Sequence, residues 1–114
     1  MSKFVYIFRG GGRTAGLSPT QMQAHVAKWR SWLDELSART PHDGGVPLDN
    51  PGKTLRGRDR VVTDGPYAES KDMVTGSLVV EAASLEEAAE WARGCPVFEF
   101  DGSVEVRPVF SRAG

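Results

Sequence analysis

Two histidines, His25 and His42, and a set of aspartates at Asp43, Asp49, Asp59 and Asp64 are the side chains best suited to move a proton in this sequence. An imidazole oriented by a carboxylate on one ring nitrogen can take a proton from a carbon or oxygen acid with the other. His25 with Asp49 is the preferred pair, and Asp43 is the second choice of carboxylate. His25 falls on a helical flank that would hold the ring rigid, and the segment 45–49, entering the sheet after that helix, could return a carboxylate to it. The competing reading is a partly buried histidine bonded to a backbone carbonyl, with Asp49 only opening a turn before Asn50-Pro51.

Other chemistry finds less support. His25, His42 and Asp43 lack any recognised metal-ligand spacing, so no metal and no cofactor are expected. Cys95 precedes Pro96 at a helix end, where the dipole disfavours a thiolate, and is read as a packing residue. Gly10-Gly11-Gly12-Arg13 lacks the pattern of a phosphate-binding loop. The most distinctive run is Asp64-Gly65-Pro66-Tyr67-Ala68-Glu69-Ser70-Lys71-Asp72. Asp64 can bond its own turn, Gly65 can take positive φ and Pro66 fixes a bend. Alternatively, Asp64, Tyr67 and Glu69, with Trp32 on the first helix, line the mouth of a ligand pocket.

These residues must be positioned by a small set of elements. Residues 3–9, KFVYIFR, form a strand with Phe4, Tyr6 and Phe8 on one face and Val5 and Ile7 on the other. Ser18-Pro19-Thr20-Gln21 supplies an N-cap, a proline at the first helical position and a capping-box glutamine. The helix runs from Pro19 to about Ala38 on a stripe of Met22, Val26, Trp29, Leu33 and Leu36, with His25 and Trp32 on its flank. Residues 41–57 are rich in proline and glycine and read as loop, with at most a short strand at 45–48. Residues 59–63 and 76–82 read as neighbouring strands. A second helix follows Ser84, with Leu85, Ala88, Ala89 and Ala92 on its inner face, and 103–109 supplies the last strand with Val104 and Val106 inward.

The order β-α-β-β-α-β is that of an α+β ferredoxin-like fold, in which both helices cover one face of a four-stranded antiparallel sheet. The other face, assigned to Phe4, Tyr6 and Phe8, must then be closed by a second copy, so a homodimer is expected.

Composition narrows the function classes. The 114 residues suffice for one domain, 1–114, and 39% hydrophobic residues suffice for a core. With 14 basic against 15 acidic side chains there is no overall field to hold nucleic acid or an anionic membrane. The charge is uneven, however: residues 1–40 carry six basic and two acidic groups, and residues 65–114 carry four and nine. No apolar run approaches a membrane span, and the start of the chain passes into a strand without a secretory pattern, so a cytoplasmic protein is expected.

The run VVTDGPYAESKD resembles the Asp-Gly-Pro-Phe-x-Glu-x-Lys-Glu signature of YCII-related proteins of the DGPF-domain group. LSPTQMQAHVAKW, GKTLRG, ARGCP and SVEVRPV extend the resemblance over most of the chain, with Tyr67 in place of the usual Phe and Asp72 in place of Glu. The resemblance implies a dimeric α/β barrel. It also implies that a histidine on the first helix, matched by His25, and an aspartate after the second strand, matched by Asp49, act together on a small polar organic molecule. One branch of the wider group eliminates chloride from a chlorinated hydroquinone, so isomerisation or elimination by proton abstraction is the reaction implied. The alternative is a non-catalytic ligand-sensing or protein-interaction module linked to transcription regulation.

Overall fold

The computed structural model describes residues 1–11, 16–49, 52–65 and 72–110. The elements in chain order are β1 (Ser2–Arg9), α1 (Pro19–Arg39), β2 (His42–Pro47), β3 (Gly52–Arg56), β4 (Val61–Gly65), β5 (Val74–Ala82), α2 (Leu85–Ala92), a 3₁₀ helix (Pro96–Phe100) and β6 (Ser103–Pro108). The main sheet has the order β2-β5-β1-β6 with every neighbouring pair antiparallel, which is the ferredoxin-like arrangement. A separate hairpin of β3 and β4 is inserted between the second and third strands of that pattern.

The strand at 61–65 therefore does not neighbour β5, contrary to the sequence reading. β2 takes that place, and its register slips between Asp43 and Val46. The strand begins earlier than the short one expected at 45–48, and Gly44, read as loop, lies with Gly45 in this bulge, at φ 73°. A Cβ on Gly76, opposite Pro47, would come within 3.0 Å of the Val46 carbonyl oxygen. Gly65 also differs from expectation. It ends β4 opposite Gly52, and the left-handed glycines among the described residues are Gly10, Gly11, Gly16, Gly44 and Gly57.

α1 begins where its local signals place it. Ser18 Oγ accepts from Gln21 N–H, and the Gln21 side chain accepts from Ser18 N–H. The buried line is rotated from the expected stripe: His25, Trp32 and Leu36 are buried and Trp29 half-buried, while Val26 is exposed. On α2, Ala88 and Ala92 are buried and Leu85 is exposed.

β1 shows both hydrophobic faces, and the helices choose between them. Phe4, Tyr6 and Phe8 turn toward α1 and α2 and join Leu78, Val80 and Ala82 of β5 in the core. The Tyr6 hydroxyl donates to Ala88 O at 2.6 Å, and its ring lies 6.1 Å from Trp32. The outer face is thus formed by Val5, Ile7 and Val79, so a charge at Tyr6 would strike the core rather than a partner. Val104 and Val106 are inward, as expected, packed against the core.

Thr40 joins the end of α1 to β5: its N–H donates to Leu36 O, and its hydroxyl donates to Glu81 O at 2.7 Å while accepting from Glu81 N–H at 3.0 Å. The 3₁₀ helix is fixed by close packing at the end of β1. Val97, 1% exposed, lies against Gly11 and Gly102, and Gly102 N–H donates to Val97 O. A Cβ at Gly102 would fall 2.7 Å from Val97 O and 2.8 Å from Arg9 O, both backbone atoms. Gly102→Ala should therefore destabilise the fold by roughly 1–3 kcal/mol, as overpacking does, measured by urea unfolding; an unchanged midpoint would contradict this packing.

Two buried acids add a pH dependence. Burial pushes Tyr6 from 10.0 up to about 12, with a smaller contribution from Cys95. Burial pushes the Cys95 thiol from 9.0 up to about 12, partly offset by a backbone hydrogen bond at Val97. Both folded pKa values lie above the unfolded ones, so the stabilisation is present below pH 9 and is lost as pH rises toward 12. Thermal melts across that range should show a falling Tm, and Tyr6→Phe combined with Cys95→Ala should flatten the fall. An equally steep fall in the double variant would assign it elsewhere.

Candidate functional site

His25 is 5% exposed and sits where the amino-terminal half of α1 meets the 3₁₀ helix. Its Nε2 accepts a hydrogen bond from Trp29 Nε1–H at 3.1 Å, one helical turn along α1. An indole nitrogen can only donate, so this Nε2 carries the lone pair and the proton of the neutral ring is on Nδ1. Nδ1 is buried and finds no hydrogen-bond partner among the described residues. The carboxylate brought toward it is Glu99, with Oε1 3.9 Å away. Phe100 closes over the ring at 4.7 Å between centroids.

Glu99 is anchored from its other oxygen, where Lys28 Nζ donates to Oε2 at 2.6 Å. That hydrogen bond holds the Glu99 carboxyl below the usual carboxylate range, assisted by the charge of Lys28 against some desolvation. A fixed anion therefore faces the unpartnered nitrogen of a buried imidazole. The ring is closed to solvent while the carboxylate stays partly exposed, at a distance from which a small approach would make it the orienting partner of an imidazole base.

Of the carboxylates expected to serve this histidine, neither Asp43 nor Asp49 is in contact with the ring. Asp43 pairs with Val79 on the outer face of the sheet, and its Oδ1 accepts from Gly44 N–H. Asp49 follows β2 at the end of the sheet that holds Phe8, the strand residue packed on Trp29. Glu99 carried no distinguishing sequence signal: it is 74 positions from His25, in a 3₁₀ helix read as a simple helix stop. His42 faces α1 from the edge strand and bonds Ser37 Oγ at 2.7 Å.

The expected ligand residues are dispersed. Trp32 borders a cavity of about 370 Å³ between α1 and α2, together with Leu36, Arg39, Glu35, Glu90 and Trp91. Its Nε1–H donates to Trp91 O at 3.1 Å, and His25 does not line this cavity. Asp64 lies on the hairpin, ion-paired with Lys53 at 2.7 Å. Tyr67 and Glu69 lie outside the described residues. Among the described residues no cluster of metal-ligating side chains occurs, and no helix is long and apolar enough to cross a membrane.

Residues 12–112 match the model of the YCII-related domain. The chain belongs to this family. Within it, a 52-residue stretch is 40% identical to the uncharacterised protein R00369 of Rhizobium meliloti (strain 1021), covering 45% of this chain and 42% of that protein. The match thus spans less than half the length of that curated relative. Among solved structures, this YCII-related chain is similar to 5-chloro-2-hydroxyhydroquinone dehydrochlorinase (TftG) of Burkholderia phenoliruptrix AC1100, in complex with 2,5-dihydroxybenzoquinone. The identity is 19% and the TM-score 0.43, over 95% of this chain and 93% of the other.

Proposed function

We propose that this YCII-related protein is a homodimer that binds a small polar organic molecule beside α1 and uses His25 to abstract a proton, in an isomerisation or an elimination. One observation carries this reading: a buried imidazole has Nε2 fixed by an indole N–H and Nδ1 turned, unpartnered, toward an anchored carboxylate. Glu99 orients the ring from Nδ1, leaving Nε2 as the atom that accepts the proton. Trp29 occupies Nε2 in the free protein, so an acidic O–H or C–H of the substrate must replace its indole. Movement of Trp29 or Phe100 is the step that admits the ligand. Asp49, at the same end of the sheet, serves the ligand rather than the ring, and Trp32, whose ring lies against Trp29, supplies an apolar wall once Trp29 moves.

A second reading is favoured by one feature. The cavity bordered by Trp32 excludes His25, as a ligand-sensing or protein-interaction module linked to transcription regulation would allow. Proton exchange separates the two. Hydroxyquinones and 1,3-dicarbonyl compounds incubated with the protein in deuterium oxide should exchange a carbon-bound proton, seen by NMR, at a rate that His25→Asn abolishes. Binding without exchange above background would favour the sensor.

The dimer rests on the uncovered face of the sheet. Both helices lie on the other side, the molecule is 18 Å thick, and among the described residues no element packs over Val5, Ile7 and Val79, which are half-buried. Sedimentation at low micromolar concentration should give twice the chain mass, and a compact monomer would contradict the reading.

A further inference from the structure

The charges around His25 balance in the free protein but not once the ring has taken a proton. Among the described residues, the ion-pair partners of Glu99 are His25 and Lys28. Beside a neutral imidazole, the Lys28 ammonium and the Glu99 carboxylate compensate each other at 2.6 Å. A proton on Nε2 makes the ring, which is 5% exposed, a cation whose Nδ1–H has no acceptor among the described residues. Burying such a charge unpaired is costly, so Glu99 must close on Nδ1. Its Oε1 stands 3.9 Å away, and an approach of about 1 Å brings it within hydrogen-bond range.

Two cations, Lys28 and the imidazolium, then share one carboxylate. The missing negative charge is the one the substrate acquires as it loses its proton. Lys28 is placed to receive it: it lies on α1 three residues after His25 and next to Trp29, whose indole covers Nε2. Its side chain is 58% exposed. An ammonium has three N–H donors, and Glu99 accepts from one of them. A donor therefore remains for a ligand oxygen while the link to Glu99 persists.

We propose that Lys28 is an oxyanion subsite and that the substrate class is an enolisable carbonyl compound. His25 Nε2 takes a proton from the carbon beside the carbonyl. The electron pair of that C–H bond forms the carbon–carbon double bond, and the carbonyl pair moves onto oxygen, where the Lys28 ammonium binds it. Glu99 closes on Nδ1 in the same step. The proposal rests on His25 as the base and names the residue that stabilises the enolate, and so selects the substrate.

Two probes test the subsite by isothermal titration calorimetry at matched ionic strength: 1,3-cyclohexanedione, which is an enolate at neutral pH without help from a protein, and its uncharged O-methyl enol ether. The wild-type chain should bind the enolate about tenfold more tightly than the ether, or better. Lys28→Met should erase that preference and Lys28→Arg should keep most of it, both with unchanged far-ultraviolet circular dichroism. Deuterium exchange of enolisable ketones should fall by about 10²-fold or more in Lys28→Met. Equal affinity for the two probes, failure of both to bind, or a preference that survives Lys28→Met overturns the subsite. Exchange that needs His25 but is unchanged in Lys28→Met likewise removes Lys28 and leaves the base. A preference that depends on Lys28, with no exchange of any compound, keeps the subsite and removes the base.

Discussion

His25→Ala is expected to lower turnover by about 10²-fold or more once a substrate is in hand, because general base catalysis contributes on that scale. The loss should fall on kcat, since the imidazole acts on the proton in flight rather than on the bound ligand as a whole. Removing a buried ring that touches Trp29 and Phe100 also costs stability, so His25→Asn, which keeps more of the volume, should accompany it. Glu99→Gln keeps the shape and removes the charge opposite Nδ1. It should cause a smaller fall with an altered pH profile of kcat, the signature of a positioning residue. Equal activity in wild type and His25→Asn, with both folded, would remove proton abstraction by His25 from the mechanism.

Trp32→Ala is expected to be the most destabilising single change in the core, by about 3–5 kcal/mol in urea unfolding. Trp32 is 5% exposed, with ring centroids 6.1 Å from Tyr6, 6.2 Å from Phe8 and 5.8 Å from Trp29. It also donates the hydrogen bond to Trp91 O that ties α1 to the end of α2. Truncation leaves a void among three aromatic rings and an unpaired carbonyl. Since small domains have only about 5–15 kcal/mol in total, the variant should be partly unfolded at growth temperature. Trp32→Phe, which keeps a ring but not the donor, should lie between. A cost under about 1 kcal/mol for the alanine variant would mean that the aromatic cluster can collapse around the gap.

What could be read from the residues alone divides along physical lines. Local signals were sufficient where the stabilising partner is local: Ser18 and Gln21 cap each other, and α1 begins at Pro19 as expected. The α+β class and the order of its main elements followed from such signals. The face of β1 did not, because Phe4, Tyr6, Phe8 and Val5, Ile7 are all apolar and only the placement of α1 and α2 decides which set is covered. β2 was obscured by Gly44 and Gly45, residues that look like loop and function as a bulge beside β5. The strand at 61–65 was recognised as a strand, yet β-branching says nothing about which sheet it joins. Within the site, His25 was legible from its position on α1. Glu99 was not, because the 3₁₀ helix that carries it depends on the contact of Val97 with Gly11 and Gly102, residues distant in sequence from the histidine.

The helix stripe illustrates the same limit at finer scale. Met22, Val26, Trp29, Leu33 and Leu36 satisfy helical periodicity, but so does the line through His25, Trp29, Trp32 and Leu36. The structure takes the second, which places an imidazole in the core where the first would have left it at the margin. A buried histidine with one partnered and one unpartnered nitrogen is the cost of that choice and the basis of the proposed chemistry.

Nitrogen-15 NMR of the His25 imidazole in the free protein, assigned by comparison with His25→Asn, reads the tautomer on which proton abstraction at Nε2 depends. The expected result is a neutral ring protonated on Nδ1, with Nε2 unprotonated and accepting from the Trp29 indole; Trp29→Phe should perturb the Nε2 resonance. A ring protonated on Nε2, with no response to Trp29→Phe, would contradict the arrangement from which the proposed function is built.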